Sequence, residues 1–267
     1  MKNRKMLRLV ESGLMLAVAT ALSMVKVLDL PYGGSITAFS ALPVIIVAYR
    51  HGLGQGLLTA LAYALMQLAL GGSALSYATS PIAAAAIVVL DYLLAFTVLG
   101  LGGIFRNKVH HQGTALVLGA VATGAMRYTL HVIAGCTVWA GLSIPTEAAM
   151  VYSLAYNATY MIPETLVTAL GAWYLSRAVD LREDTLSRAK SAPLRPAALT
   201  LSLLGGAALL VAAVWDVAEI FRPLQDADSG DFVITNLSLV NWPQVGVVTA
   251  AGVAVWSVCA LIRRRIK

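Results

Sequence analysis

The sequence predicts an all-α polytopic membrane protein. Of its 267 residues, 59% are strictly hydrophobic and only 12% charged, against roughly 45–50% and 25% in soluble domains. Mean hydropathy is +0.78. The apolar residues fall into eight runs bounded by charge or by Gly, Pro and Ser, and a helix needs roughly 20 of them to cross a bilayer. Disordered chains, collagens, disulfide scaffolds and soluble enzymes fit such a composition poorly.

The first run, Leu9–Leu28, follows a basic segment and has the form of a signal peptide, with Ala19-Thr20-Ala21 as an A-x-A site. Seven further runs already explain membrane targeting, so it is read as a span. Ile36–Tyr49 is short and holds Pro43, which predicts a bent or partly re-entrant helix. Leu53–Leu70, Ile82–Phe105, Thr114–Gly135 and Ala148–Leu175 complete a six-span core over residues 1–179. Residues 180–196 are charged, proline-containing and aperiodic, and read as a cytoplasmic linker. Ala197–Trp215 and Val245–Ile262 form a two-span appendage over residues 197–267, with Asp216, Glu219, Asp226, Asp228 and Asp231 in its outer loop. No soluble domain is expected.

The net charge of +6 and pI near 9.4 would suit nucleic acid if the basic residues interleaved with aromatics. Instead they sit between the runs. With the N-terminus inside, sixteen Lys and Arg fall on the inner side, and only Lys26 and Arg222 on the outer. The basicity therefore sets topology, with both termini cytoplasmic. Cys136 and Cys259 are too few for a disulfide framework and fall at opposite faces.

Ionisable groups inside spans are costly and point to function. Asp91, Arg127 and Glu164 stand out, joined by the titratable ring of His131. One reading is structural glue, Arg127 pairing with Asp91 or Glu164. The other is a pocket. Arg127, His131, Gly135 and Trp139 recur every four residues along one helical face. Asn157, Tyr160 and Glu164 share a face of the next span, flanked by Tyr152 and Tyr156, and Pro163 is expected to kink it. A carboxylate, an amide, phenols, an imidazole and an indole suit a flat, nitrogen-rich, cationic small molecule. No phosphate-binding loop, zinc-protease helix, metal-ligand spacing or nucleophile elbow occurs, so the chain is not read as an enzyme or an ATPase. Gly13, Ala17 and Ala21 form a small-residue stripe on the first span. It is either a seam inside the bundle or a surface for a partner's helix.

Four stretches resemble the thiamine-specific substrate-binding (S) subunits of energy-coupling factor transporters: GGSITAFSALPVIIVAYRHGLGQGLL (33–58), LDYLLAFTVLGLGGIF (90–105), RYTLHVIAGCTVWAG (127–141) and YSLAYNATYMIPE (152–164). The resemblance spans about residues 9–176. It implies a six-helix S-subunit bundle in a bacterial cell membrane, here with two extra C-terminal helices. Such a subunit binds thiamine in an outward-facing pocket. It needs no cofactor of its own and joins a transmembrane coupling subunit and two cytosolic ATPases, which alone use ATP. By motif position the ligand-binding residues are Asp91, Tyr92, Arg127, His131, Gly135, Trp139, Tyr152 and Asn157, and Gly13 and Ala17 meet the coupling subunit; Glu164 and Ala21 extend these two sets by helical spacing. The tryptophan that some members carry near Gly33-Gly34 is missing, with Tyr32 alongside, and the loop at 142–150 lacks the proline-glutamate-glycine form and leaves Glu147 without a matched role. Alternatives are an S subunit for another vitamin or a thiamine precursor, or a stand-alone proton-coupled carrier of organic cations.

Overall fold

The computed structural model describes residues 2–30, 33–71, 75–76, 78, 80–141, 146–183, 186–189, 195–224 and 233–266, without the side chains of 2–3, 137–141, 146–148 and 234–235. The chain divides into two compact units, Met1–Lys190 and Ser191–Lys267.

The first unit opens with α1 (Lys2–Ser23), followed by strands β1 (Lys26–Asp29) and β2 (Ser35–Thr37), which pair antiparallel. Helices α2 (Leu42–His51) and α3 (Leu53–Leu70) follow. Next come α4 (Pro81–Leu101), α5 (Gln112–Gly141) and α6 (Thr146–Ala178). A short ladder, β3 (Val179–Asp180) with β4 (Ser187–Arg188), closes the unit inside the stretch read as a plain linker. The second unit is a hairpin of α7 (Pro196–Leu224) and α8 (Trp242–Arg265), with a 3₁₀ turn at Ile234–Leu239. Among the described residues six helices are long and apolar enough to cross a membrane: α1, α3, α4, α5, α7 and α8. Helix α6 is longer still at 33 residues and continues through Pro163.

Two expected spans change character. Helix α1 stops at Ser23, and the apolar run beyond it turns into β1; a short apolar run does not declare helix or strand by itself. Helix α2 has ten residues, about 15 Å at 1.5 Å each, half a bilayer core. It is buried from Leu42 to Arg50, which is what an all-round apolar sequence requires. Gly52, at φ 89°, supplies the left-handed turn that folds α3 straight back along it. Small residues then let backbones touch. A side chain on Gly56 would lie 2.5 Å from the Ala48 Cβ, and one on Gly100 2.6 Å from the Leu57 Cα.

Charged groups tie the unit together at one end. Arg50 donates twice to Glu11 of α1, Nε to Oε2 and Nη2 to Oε1, both at 3.0 Å, and His51 Nε2 lies 2.6 Å from Glu11 Oε2. Arg50 Nη1 also reaches the carbonyls of Leu181 and Glu183. Glu11 thus joins the in-span ionisable residues, with a packing role. In the second unit α7 runs past Trp215 to Leu224, so Asp216 and Glu219 belong to the helix and not to a loop. Asp216 Oδ2 accepts a hydrogen bond from Thr249 of α8 while its Oδ1 is buried without a partner, and Glu219 pairs with Arg222 at 3.1 Å, three residues along the same helix.

Candidate ligand-binding cavity

Helices α3 to α6 and the β1–β2 hairpin enclose a cavity of about 500 Å³, within the range of small-molecule sites. The hairpin is fastened over α6. The Gly34 N–H donates to Tyr156 Oη at 2.9 Å, and a side chain on Gly34 would collide with Tyr156 and Tyr160. Thr37 donates to Glu164 through its N–H (2.7 Å) and its hydroxyl (2.8 Å), and Ser40 adds a longer bond at 3.4 Å. Glu164 is 4% exposed, so three donors hold a buried carboxylate in place.

From α5 come Arg127, His131 and Gly135, the face that four-residue spacing predicts. From α6 come Asn157, Tyr160 and Glu164 with Tyr156. Gly135 is the point where α5 meets α6: a Cβ there would lie 2.2 Å from Ser153 Oγ. Asn157 bridges the same seam through its amide to the His131 and Ser153 carbonyls, while its oxygen accepts from Tyr160.

Arg127 acts as glue at most through its charge beside Glu164, not through a direct ion pair. His131 Nδ1 stands 2.8 Å from Asp91 Oδ1, and no ion pair among the described residues joins Arg127 to Asp91 or Glu164. The guanidinium sits over the Phe96 ring, 4.7 Å from its centroid, and Nε has no hydrogen-bond partner. Phe96 offers the π face that replaces the expected carboxylate. An ionised Asp91 accepts, so His131 donates through Nδ1–H; its Nε2 is buried and without a partner.

Asp91 and Tyr92 both line the cavity, although neighbours on an α-helix point 100° apart. The helix is widened here: Ile87–Leu94 is π-helical, and the Ala95 N–H reaches back five residues to the Leu90 carbonyl. Tyr92 Oη donates to the Gly71 carbonyl at 2.6 Å, fixing α4 against the end of α3.

Seven of the nine residues expected to bind ligand line the cavity: Asp91, Tyr92, Arg127, His131, Gly135, Asn157 and Glu164. Tyr152 lies behind it, 1% exposed and stacked on Tyr156. Trp139 continues the backbone of α5, but its side chain lies outside the described residues, as do Tyr32 and the side chain of Glu147. The sequence reading missed Lys26, Tyr63, Gln67 and Phe96 in the lining. Phe96 was within reach, four residues after Tyr92. Lys26 counted only as an outer charge; it is held by Asp29 at 3.0 Å. The lining therefore combines aromatic faces with an imidazole and the Asp91 carboxylate, which can orient a cation that also carries hydrogen-bonding nitrogens, while the Arg127 guanidinium over Phe96 adds a positive charge of its own.

The model of the family described as "Thiamine transporter protein" (Thia_YuaJ) matches residues 9–181. The chain belongs to this family. The thiamine transporter ThiT of Bacillus subtilis (strain 168) is 31% identical over 180 residues, 63% of this chain and 90% of that protein. The ThiT of Lacticaseibacillus paracasei (strain ATCC 334) is 25% identical over 181 residues, 62% of this chain and 85% of that protein. A solved ThiT structure from Listeria monocytogenes matches with a TM-score of 0.52 at 22% identity, over 64% of this chain and 94% of that one, and shows the shared fold. With its six apolar helices, this thiamine transporter family member is a multi-pass membrane protein. The family match ends within the first unit, so α7 and α8 lie beyond it.

Proposed function

We propose that this chain is the thiamine-binding subunit of an ATP-driven vitamin uptake transporter. The observation that carries the reading is the cavity itself, where Asp91, coupled to His131, faces aromatic rings from α4 and α6. Thiamine carries two flat rings joined by a methylene, a permanent positive charge and several ring nitrogens, to which aromatic faces, the Asp91 carboxylate and hydrogen-bonding side chains correspond. The sequence holds no G-x-x-x-x-G-K-[ST] loop with which the chain could cradle ATP phosphates itself. Energy then comes from elsewhere: a transmembrane coupling subunit and two ATPases. Titration calorimetry of the purified chain with thiamine tests the binding, with mass spectrometry of any co-purified small molecule. Tight binding of another vitamin in its place overturns the ligand, and uptake by the isolated chain overturns the need for partners.

We also infer that both termini are cytoplasmic and the cavity opens outward, from the distribution of Lys and Arg. In a background with Cys136 and Cys259 replaced by Ala, Val27→Cys on the hairpin reacts with an impermeant thiol reagent on intact cells, and Ser187→Cys reacts only after lysis. The reverse pattern inverts the assignment.

The second unit is separable in this reading, because every cavity residue precedes it. A chain ended after Arg188 inserts and binds thiamine within about twofold of the full chain, a change under 1 kcal/mol. Loss of binding in well-folded truncated protein would make α7 and α8 part of the site.

A further inference from the structure

We propose that the π-helical stretch of α4 is a positioning element, whose wide winding aims Asp91 and Tyr92 together into the cavity. The stretch runs over eight residues, Ile87–Leu94, and π turns of this kind occur mostly as single-turn insertions at functional sites. Four residues of this helix line the cavity: Ile87, Asp91, Tyr92 and Phe96. Wound as an α-helix at about 100° per residue, they would spread over about half a turn. With i→i+5 bonding each residue advances about 80°, and the same four fall within about a quarter of a turn. The widened winding therefore puts the His131 partner and the Gly71 partner on one face, while Ala95 beyond it stays buried.

The same geometry separates two deletions that look alike. Val89 and Leu94 are both exposed, at 43% and 44%, so neither removal empties the core. Either one removes a residue and lets the stretch wind as an α-helix, and the half of α4 beyond Ala95 stays set in the core, with Leu99 1% exposed. Without Val89, which precedes both, Asp91 and Tyr92 rotate by about 60–100° against Phe96. Without Leu94, which lies between them and Phe96, they stay within about 40° of their present direction.

Both deletions are made in the full chain, and thiamine affinity and melting temperature are measured for each; the affinity readout rests on the proposed ligand. Deleting Val89 weakens binding about a hundredfold and deleting Leu94 by less than about threefold, with similar melting temperatures. A second readout needs no thiamine. With Cys136 and Cys259 replaced by Ala, Asp91→Cys is labelled by a hydrophilic thiol reagent in the full chain and in the Leu94 deletion, and at least about tenfold more slowly in the Val89 deletion. Equal labelling in the two deletions overturns the proposal. So does a Val89 deletion that melts well below the Leu94 deletion, because the turn then serves packing and not aim. A full chain that labels as described but binds no thiamine overturns the ligand and leaves the positioning role standing.

Discussion

Ala17→Trp should cut thiamine uptake by cells at least about tenfold and leave thiamine binding by the purified subunit intact. Helix α1 is fastened to the bundle by one face only. Ser12 accepts from Gln55, Ser23 accepts from Gln67, Glu11 holds Arg50, and Ala19 is fully buried. Gly13, Ala17 and Ala21 are exposed, and a side chain built on Gly13 meets nothing within 4 Å. The stripe is therefore no seam inside this chain. Exposed small residues at four-residue spacing permit a second helix to approach backbone to backbone, and an indole there forbids it. Because position 17 faces away from the cavity, the thiamine dissociation constant should stay within about twofold, under 1 kcal/mol. If α1 docks the proposed coupling subunit, uptake should fall at least about tenfold. Loss of binding and uptake together would show that α1 supports the pocket. Unchanged uptake would move the docking surface elsewhere.

What the sequence made legible divides by physical cause. The face of Arg127, His131 and Gly135 was readable because four-residue spacing keeps one direction on an α-helix, and α5 is a regular one. The pairing of Asp91 with Tyr92 in one cavity was not readable from that rule, because it depends on π winding that no spacing announces. Motif resemblance supplied it instead. The β1–β2 hairpin was hidden inside two apolar runs. The partner that pins it, Glu164, was read as a ligand-binding residue or a partner for Arg127, and not as an anchor for the hairpin. Glu11 was passed over because counting Lys and Arg for topology ignores acids, and its partner Arg50 entered only that count as an inner-side charge although it is 7% exposed. Asp216 was assigned to a loop because an acid ends an apolar run. A cross-hairpin hydroxyl lets the helix carry it.

Asp91→Asn should weaken thiamine binding roughly ten- to hundredfold while barely moving the melting temperature. The substitution keeps the shape of the side chain and one carbonyl oxygen. His131 Nδ1–H, now 2.8 Å from Asp91 Oδ1, therefore still has an acceptor. Arg127 is not a partner of Asp91, so nothing is stranded when the charge goes. What disappears is the negative charge facing a cationic ligand. A charge-assisted hydrogen bond contributes about 1.5–3 kcal/mol, and each factor of ten corresponds to about 1.4 kcal/mol, which sets the expected range. Asp91→Ala separates the two roles further. It removes the acceptor as well, leaves both ring nitrogens of a buried His131 without partners, and should lower the melting temperature along with the affinity. Titration calorimetry with thiamine and a melting curve without it, run on both variants, decide the matter. If Asp91→Asn binds as tightly as the parent and melts far lower, the carboxylate is a fastening between α4 and α5, and recognition of the cation rests on the aromatic faces alone.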